Sequence, residues 1–104
     1  MKIPTKIKIG ETEYKVREKK FYFDDNLSGD INYNLSQVNI RKTLSSREKE
    51  ATFFHEIAHG VLKELEFNHP KINPFRSNED FVQEMGLTLR KTFLDLLSKQ
   101  EVGE

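Results

Sequence analysis

Residues 53–60 read FFHEIAHG. Two imidazoles four residues apart, with a carboxylate directly after the first, suit a metal site better than an apolar core. On a helix, His55 and His59 stand about 40° apart and one turn removed, so both can reach one ion from one side. Imidazole nitrogen suits zinc, with Zn–N near about 2.0 Å. Glu56 lies about 60° from His59 on the same wheel. From there its carboxylate can act as general base, taking a proton from a zinc-activated water and later handing it to a leaving amine. The motif is short, and roughly one shuffled chain in a hundred of this composition carries it by chance. The competing explanation is a pair of hydrogen-bonded histidines with Glu56 as surface charge. It would set three polar groups among Phe53, Phe54, Ile57 and Ala58 without evident compensation for their desolvation.

A catalytic zinc takes three protein ligands, so one more is needed. The positions where an extended H-E-x-x-H-x-x-G-x-x-H pattern would continue are Leu62 and Leu65. The remaining candidates are Glu79, Asp80 and Glu84. With Glu79 at 0° on a helical wheel, Val82, Gly86, Leu89, Phe93 and Leu96 fall between about 260° and 340°, and Met85 near 240°. That apolar stripe is expected to face the core. Glu79 sits at its edge, where it can turn toward a metal on a neighbouring helix. Asp80 and Glu84 fall near about 100° and 140°, on the solvated side. Glu79 is therefore the expected third ligand, and Gly86 is expected to let two helix backbones approach on that face. Two further residues are candidate donors to a developing oxyanion. One is His69, which precedes Pro70 in a connector; the other is Tyr33. Their plainer explanations are an exposed loop histidine and a sheet-face aromatic.

The elements that must position these groups change character midway along the chain. In the first half, Ile7 and Ile9 alternate with lysines, and Tyr14 and Val16 alternate with charged residues, separated by Gly10-Glu11-Thr12. This predicts a hairpin with one buried face. Phe21-Tyr22-Phe23 reads as a further strand. Ile31 and Tyr33, a turn over Asn34 to Gln37, then Val38 and Ile40 predict a second hairpin. Its strand Val38 to Arg41 is expected at the sheet edge along the cleft. There Val38, Asn39, Ile40 and Arg41 would pair with an extended substrate. In the second half the period becomes helical. Ser45 and Glu48 form a capping box. Ala51, Phe54, Ala58, Val61 and Leu65 carry one helix to about Phe67, where Asn68, His69 and Pro70 stop it. Ser77, Asn78, Glu79 and Asp80 open a second helix that runs to about Ser98.

Composition narrows the class. The 104 residues fit one domain, 1–104, with a modest core. Lys+Arg and Asp+Glu both number 17, for a formal net charge of +0. That balance argues against nucleic acid as a partner. No cysteine is present, which excludes disulfides and cysteine zinc fingers. No apolar run has membrane-spanning length, and no signal-peptide pattern opens the chain. The expectation is a soluble cytoplasmic protein, a monomer or weak oligomer, with no membrane partner.

The hairpin GDINYNLSQVNIRK, the capped helix LSSREKEATFFHEIAHGVLKEL and the segment SNEDFVQEMGLTL together resemble small H-E-x-x-H proteins of phages and mobile elements. Those proteins are related to the ImmA/IrrE-type metallopeptidases. The resemblance covers about two thirds of the chain, from Gly29 to about Thr92. It implies an α+β, minimal zincin-like fold. A small twisted antiparallel sheet would pack on the H-E-x-x-H helix, and a second C-terminal helix would close the site. It also implies one Zn2+ per chain on His55 and His59, a third ligand from the acidic helix start, and Glu56 as general base. The implied activity is zinc-dependent hydrolysis of an extended peptide or protein segment. The alternative is a catalytically inactive zincin-like binding module that keeps the metal and recognises a protein partner.

Overall fold

The computed structural model describes residues 1–20 and 26–102. Four strands, β1 (Lys6–Ile9), β2 (Thr12–Lys19), β3 (Gly29–Asn32) and β4 (Gln37–Arg41), precede three helices. These are α1 (Ser46–Asn68), the short α2 (Asn73–Arg76) and α3 (Glu79–Val102), with a 3₁₀ turn at Pro70–Ile72. The class is α+β, as expected. The strand expected at Phe21-Tyr22-Phe23 lies outside the described residues.

Both hairpins form from the alternating residues. Ile9, Tyr14, Val16, Val38 and Ile40 turn to one face and meet Phe53, Phe54 and Ile57 of α1. Each fully buried aliphatic side chain, such as Val38 or Ile40, contributes about 1.5–3 kcal/mol. The sheet order corrects an expectation. It runs β1-β2-β4-β3, with β2 and β4 parallel, so the sheet is mixed rather than antiparallel. The strand next in sequence after β2 is β3 at the edge, and β4 lies between the two. The physical reason is burial. Val38 and Ile40 have no exposed surface, which suits a central strand. The outer strands β1 and β3 carry Lys6, Lys8, Asp30 and Asn32, as edges tolerate.

The helix boundaries follow their caps. The Ser45 hydroxyl accepts the Glu48 N–H at 3.2 Å, and the Glu48 carboxylate accepts the Ser45 N–H at 3.2 Å. Helix α1 stops at Asn68, two residues before Pro70. At the start of α3, the Asn78 side-chain oxygen accepts the Phe81 N–H at 3.0 Å. That helix continues beyond Ser98 to Val102. Helices α1 and α3 pack through Ala58, Leu62 and Val82. Gly86 permits this approach: a Cβ there would lie 3.0 Å from the His55 Cα. The apolar stripe of α3 is covered only in its first half. Val82 and Gly86 are buried, but Phe93 is 40% exposed and Leu96 56%. The expectation that the whole stripe faces the core is corrected accordingly.

Candidate metal centre

His55 and His59 project from one face of α1 toward the first residue of α3. The Glu79 carboxylate bridges them, with Oε2 3.2 Å from His55 Nε2 and Oε1 3.3 Å from His59 Nε2. One ligand atom from each residue can be chosen so that all three lie within 4.8 Å of one another. Donor atoms around a tetrahedral zinc with bonds near 2.0 Å are separated by about 3.3 Å. The two nitrogen–oxygen distances match that spacing, each to a different oxygen of the carboxylate. Asp80 and Glu84 are exposed and outside the cluster.

Gln83 adds an orienting contact. Its Oε1 lies 2.9 Å from His55 Nδ1. An amide oxygen only accepts, so Nδ1 carries a proton, and in the neutral ring Nε2 then presents its lone pair toward Glu79. In the neutral ring, a lone pair and a carboxylate then face each other, an arrangement that a cation between them relieves. Burial is the main cause that lowers the His59 pKa, and the His55 and Arg76 charges add to it. The Glu79 carboxylate opposes them without prevailing. His59 is thus held toward the neutral form that binds metal. The sequence reasoning missed Gln83, although its signal was available: it stands four residues after Glu79, as His59 stands four after His55.

Glu56 is 6% exposed and borders a cleft of about 340 Å³. The same cleft is lined by Ser28, Gly29, Thr52, His55 and Gln83. Burial, with the charges of Asp30 and Glu79, pushes the Glu56 pKa up to about 8. A carboxyl with an affinity for protons near neutrality suits general acid–base work. A bound dication would act in the opposite direction.

The other candidates separate. Tyr33 is beside the site, its hydroxyl donating to the His59 carbonyl at 3.4 Å. His69 is not. It is exposed at the C-cap of α1, ten residues beyond His59 and so about 15 Å farther along the helix. The helix has to end there, before a proline, which carries His69 away from the cleft.

The expected substrate strand is also corrected. Val38, Asn39, Ile40 and Arg41 form an inner strand paired on both sides, with Val38 and Ile40 in the core. Their main chain is committed to β2 and β3. The edge beside α1 is β3, with Gly29 against Thr52 and Ile31 against Gly60. The Arg41 N–H donates to the Ser28 carbonyl at 2.7 Å, and the register runs Gly29 opposite Ile40 and Ile31 opposite Val38. By antiparallel alternation, the main-chain groups of Gly29 and Ile31 point outward.

No protein-family model, curated protein or solved structure matches this chain. Among the described residues, no helix is long and apolar enough to cross a membrane.

Proposed function

We propose that the chain is a zinc-dependent peptidase of minimal zincin-like build, akin to the ImmA/IrrE-type metallopeptidases. The observation that carries this is the meeting of His55 Nε2, His59 Nε2 and the Glu79 carboxylate beside a buried Glu56. Two imidazoles and one carboxylate are a donor set suited to zinc, with a coordination position left for water or substrate. Bound there, zinc supplies a Lewis acid and lowers the pKa of water. Gln83 keeps the His55 ring in its ligating tautomer. Glu56 accepts a proton from the attacking water and returns it to the leaving amine. The outward main-chain groups of Gly29 and Ile31 hold the peptide extended along β3. Tyr33 donates to the oxyanion in this reading only by releasing its present hydrogen bond to the His59 carbonyl.

The test is Glu56→Gln in zinc-loaded protein. Metal content and fold should be kept while hydrolysis of a peptide library falls at least about a hundredfold, the scale of general-base loss. A Gln variant that cleaves at the wild-type rate would remove Glu56 from this role. Wild-type protein that binds zinc and cleaves nothing would favour the binding module.

A further inference from the structure

The two flanks of the candidate site differ in charge. On the His55 side the cleft is lined by Leu27, Ser28, Ala51, Thr52 and Gln83, none of them cationic. On the His59 side, outside that cleft, two cations gather around Tyr33. Lys63 Nζ lies 5.5 Å and the Arg76 guanidinium carbon 6.0 Å from its ring centroid. The Tyr33 hydroxyl donates to the His59 main-chain carbonyl, and Lys63 stands one turn after His59 on α1, so the pair of cations flanks the His59 side of the site.

Arg76 is held in place. Its Nε pairs with Glu66 Oε2, and its Nη2 lies 3.5 Å from Glu66 Oε1. Asn73 in turn donates to Glu66 Oε1 at 2.6 Å. Glu66 thus anchors one cation and leaves the pair of cations with a positive surplus. No ion pair involving Lys63 is found among the described residues. The Arg76 side chain is 26% exposed, so a charge meeting it is less screened than at an open surface. Arg76 also hydrogen-bonds the Tyr33 side chain, while the ammonium of Lys63, over the same ring, can swing toward a partner.

We propose that this flank of the site is a subsite for a carboxylate, so that the preferred peptide carries aspartate or glutamate on the His59 side of the reacting bond. The path of the peptide along β3 rests on the peptidase reading above. Lys63 and Arg76 are specificity-determining residues here, distinct from the metal ligands and from Glu56.

The test uses zinc-loaded protein and peptides capped with a hydroxamate, which anchors on the metal without being hydrolysed. Two series, extending to either side of the hydroxamate, place Glu or Gln at each position in turn. In one series, at one position, Glu should bind at least about tenfold tighter than Gln, the worth of a charge-assisted hydrogen bond. The preference should weaken with added salt. Lys63→Glu should erase or reverse it without changing the affinity for acetohydroxamate, which has no side chain to recognise. Arg76→Lys should reduce it and tests the fixed cation while keeping its charge. The proposal is overturned if no position distinguishes Glu from Gln, or if both variants keep the wild-type preference. Amide hydrolysis without acidic preference would overturn the subsite and leave the peptidase reading standing. Acidic preference without any hydrolysis would do the reverse.

Discussion

The two halves of α3 differ in what covers them. From Glu79 to Gly86 the helix lies on α1: Val82 and Gly86 are buried, and Glu79 and Gln83 reach His55. From Leu89 onward it borders a groove of about 630 Å³, with Phe93 and Leu96 substantially exposed. The same apolar stripe runs through both halves, yet only the first is closed over. The geometry of the His55–His59–Glu79 cluster therefore rests on a short stretch of helix–helix contact, and the remainder of α3 lies outside that stretch. Substitutions on the α1-facing side of the first half should alter metal binding, and those in the second half should leave it unchanged.

The largest expected effect is loss of the carboxylate ligand. Glu79→Ala should weaken zinc binding beyond the about 10- to 100-fold typical of losing an outer partner. Glu84→Ala, one turn on but facing solvent, should leave it unchanged. Titration against a chelator of known affinity reads both. Equal affinity for wild type and Glu79→Ala would remove Glu79 from the site. Next comes Gln83→Ala, which frees the His55 ring without removing a ligand. It should cost about 10- to 100-fold in zinc affinity, with little change in the thermal stability of the metal-free protein. A stability loss with unchanged metal affinity would make Gln83 a packing residue.

Much of the His55–His59–Glu79 cluster was legible in the sequence because helical spacing is a rigid rule. His55 and His59 share a face whatever surrounds them, and the wheel singled out Glu79 over Asp80 and Glu84 for the same reason. The capping box at Ser45 and Glu48 is local and formed as written. What could not be read was adjacency between distant segments. Alternation fixes which face a strand buries but not which strand lies beside it, so β4 was expected at an edge when it is central. Likewise the wheel shows that Phe93 and Leu96 continue the stripe of Val82, but not that α1 and the sheet cover only its beginning. Arg76 reaches Tyr33 through the turns of a connector, which has no period to reveal it.

A stability comparison tests the two halves directly. Val82 is fully buried between Ala58 and Leu62, whereas Leu96 borders the open groove. Val82→Ala should cost about 2 kcal/mol through lost contact and the cavity left behind. Leu96→Ala should cost less than about 0.5 kcal/mol, as for other exposed positions. Urea denaturation of the metal-free protein gives both values. Comparable losses would mean that the second half is covered in solution by something other than the described residues.

A smaller effect than that of Val82→Ala is expected at the joint between the halves, where Arg90 of α3 donates to Glu50 of α1. Arg90 Nε lies 2.7 Å from Glu50 Oε1, and the terminal amine 3.1 Å from Oε2. Burial raises the Glu50 pKa, but the hydrogen bonds and charges of Arg90 and the amine outweigh it. The carboxyl is left below its ordinary 4.5. A depressed carboxyl stabilises the fold when ionised. Its contribution is fully present above about pH 4.5 and is lost as the pH falls through the lower folded value. Glu50→Gln should therefore lower the melting temperature at neutral pH by less than Val82→Ala does. The gap from wild type should close in acid. Zinc affinity should not change, because the tie lies beyond the stretch that carries Glu79 and Gln83. A gap that persists undiminished in acid would show that the charge on Glu50 contributes nothing. A fall in zinc affinity would show instead that the two halves of α3 are mechanically coupled.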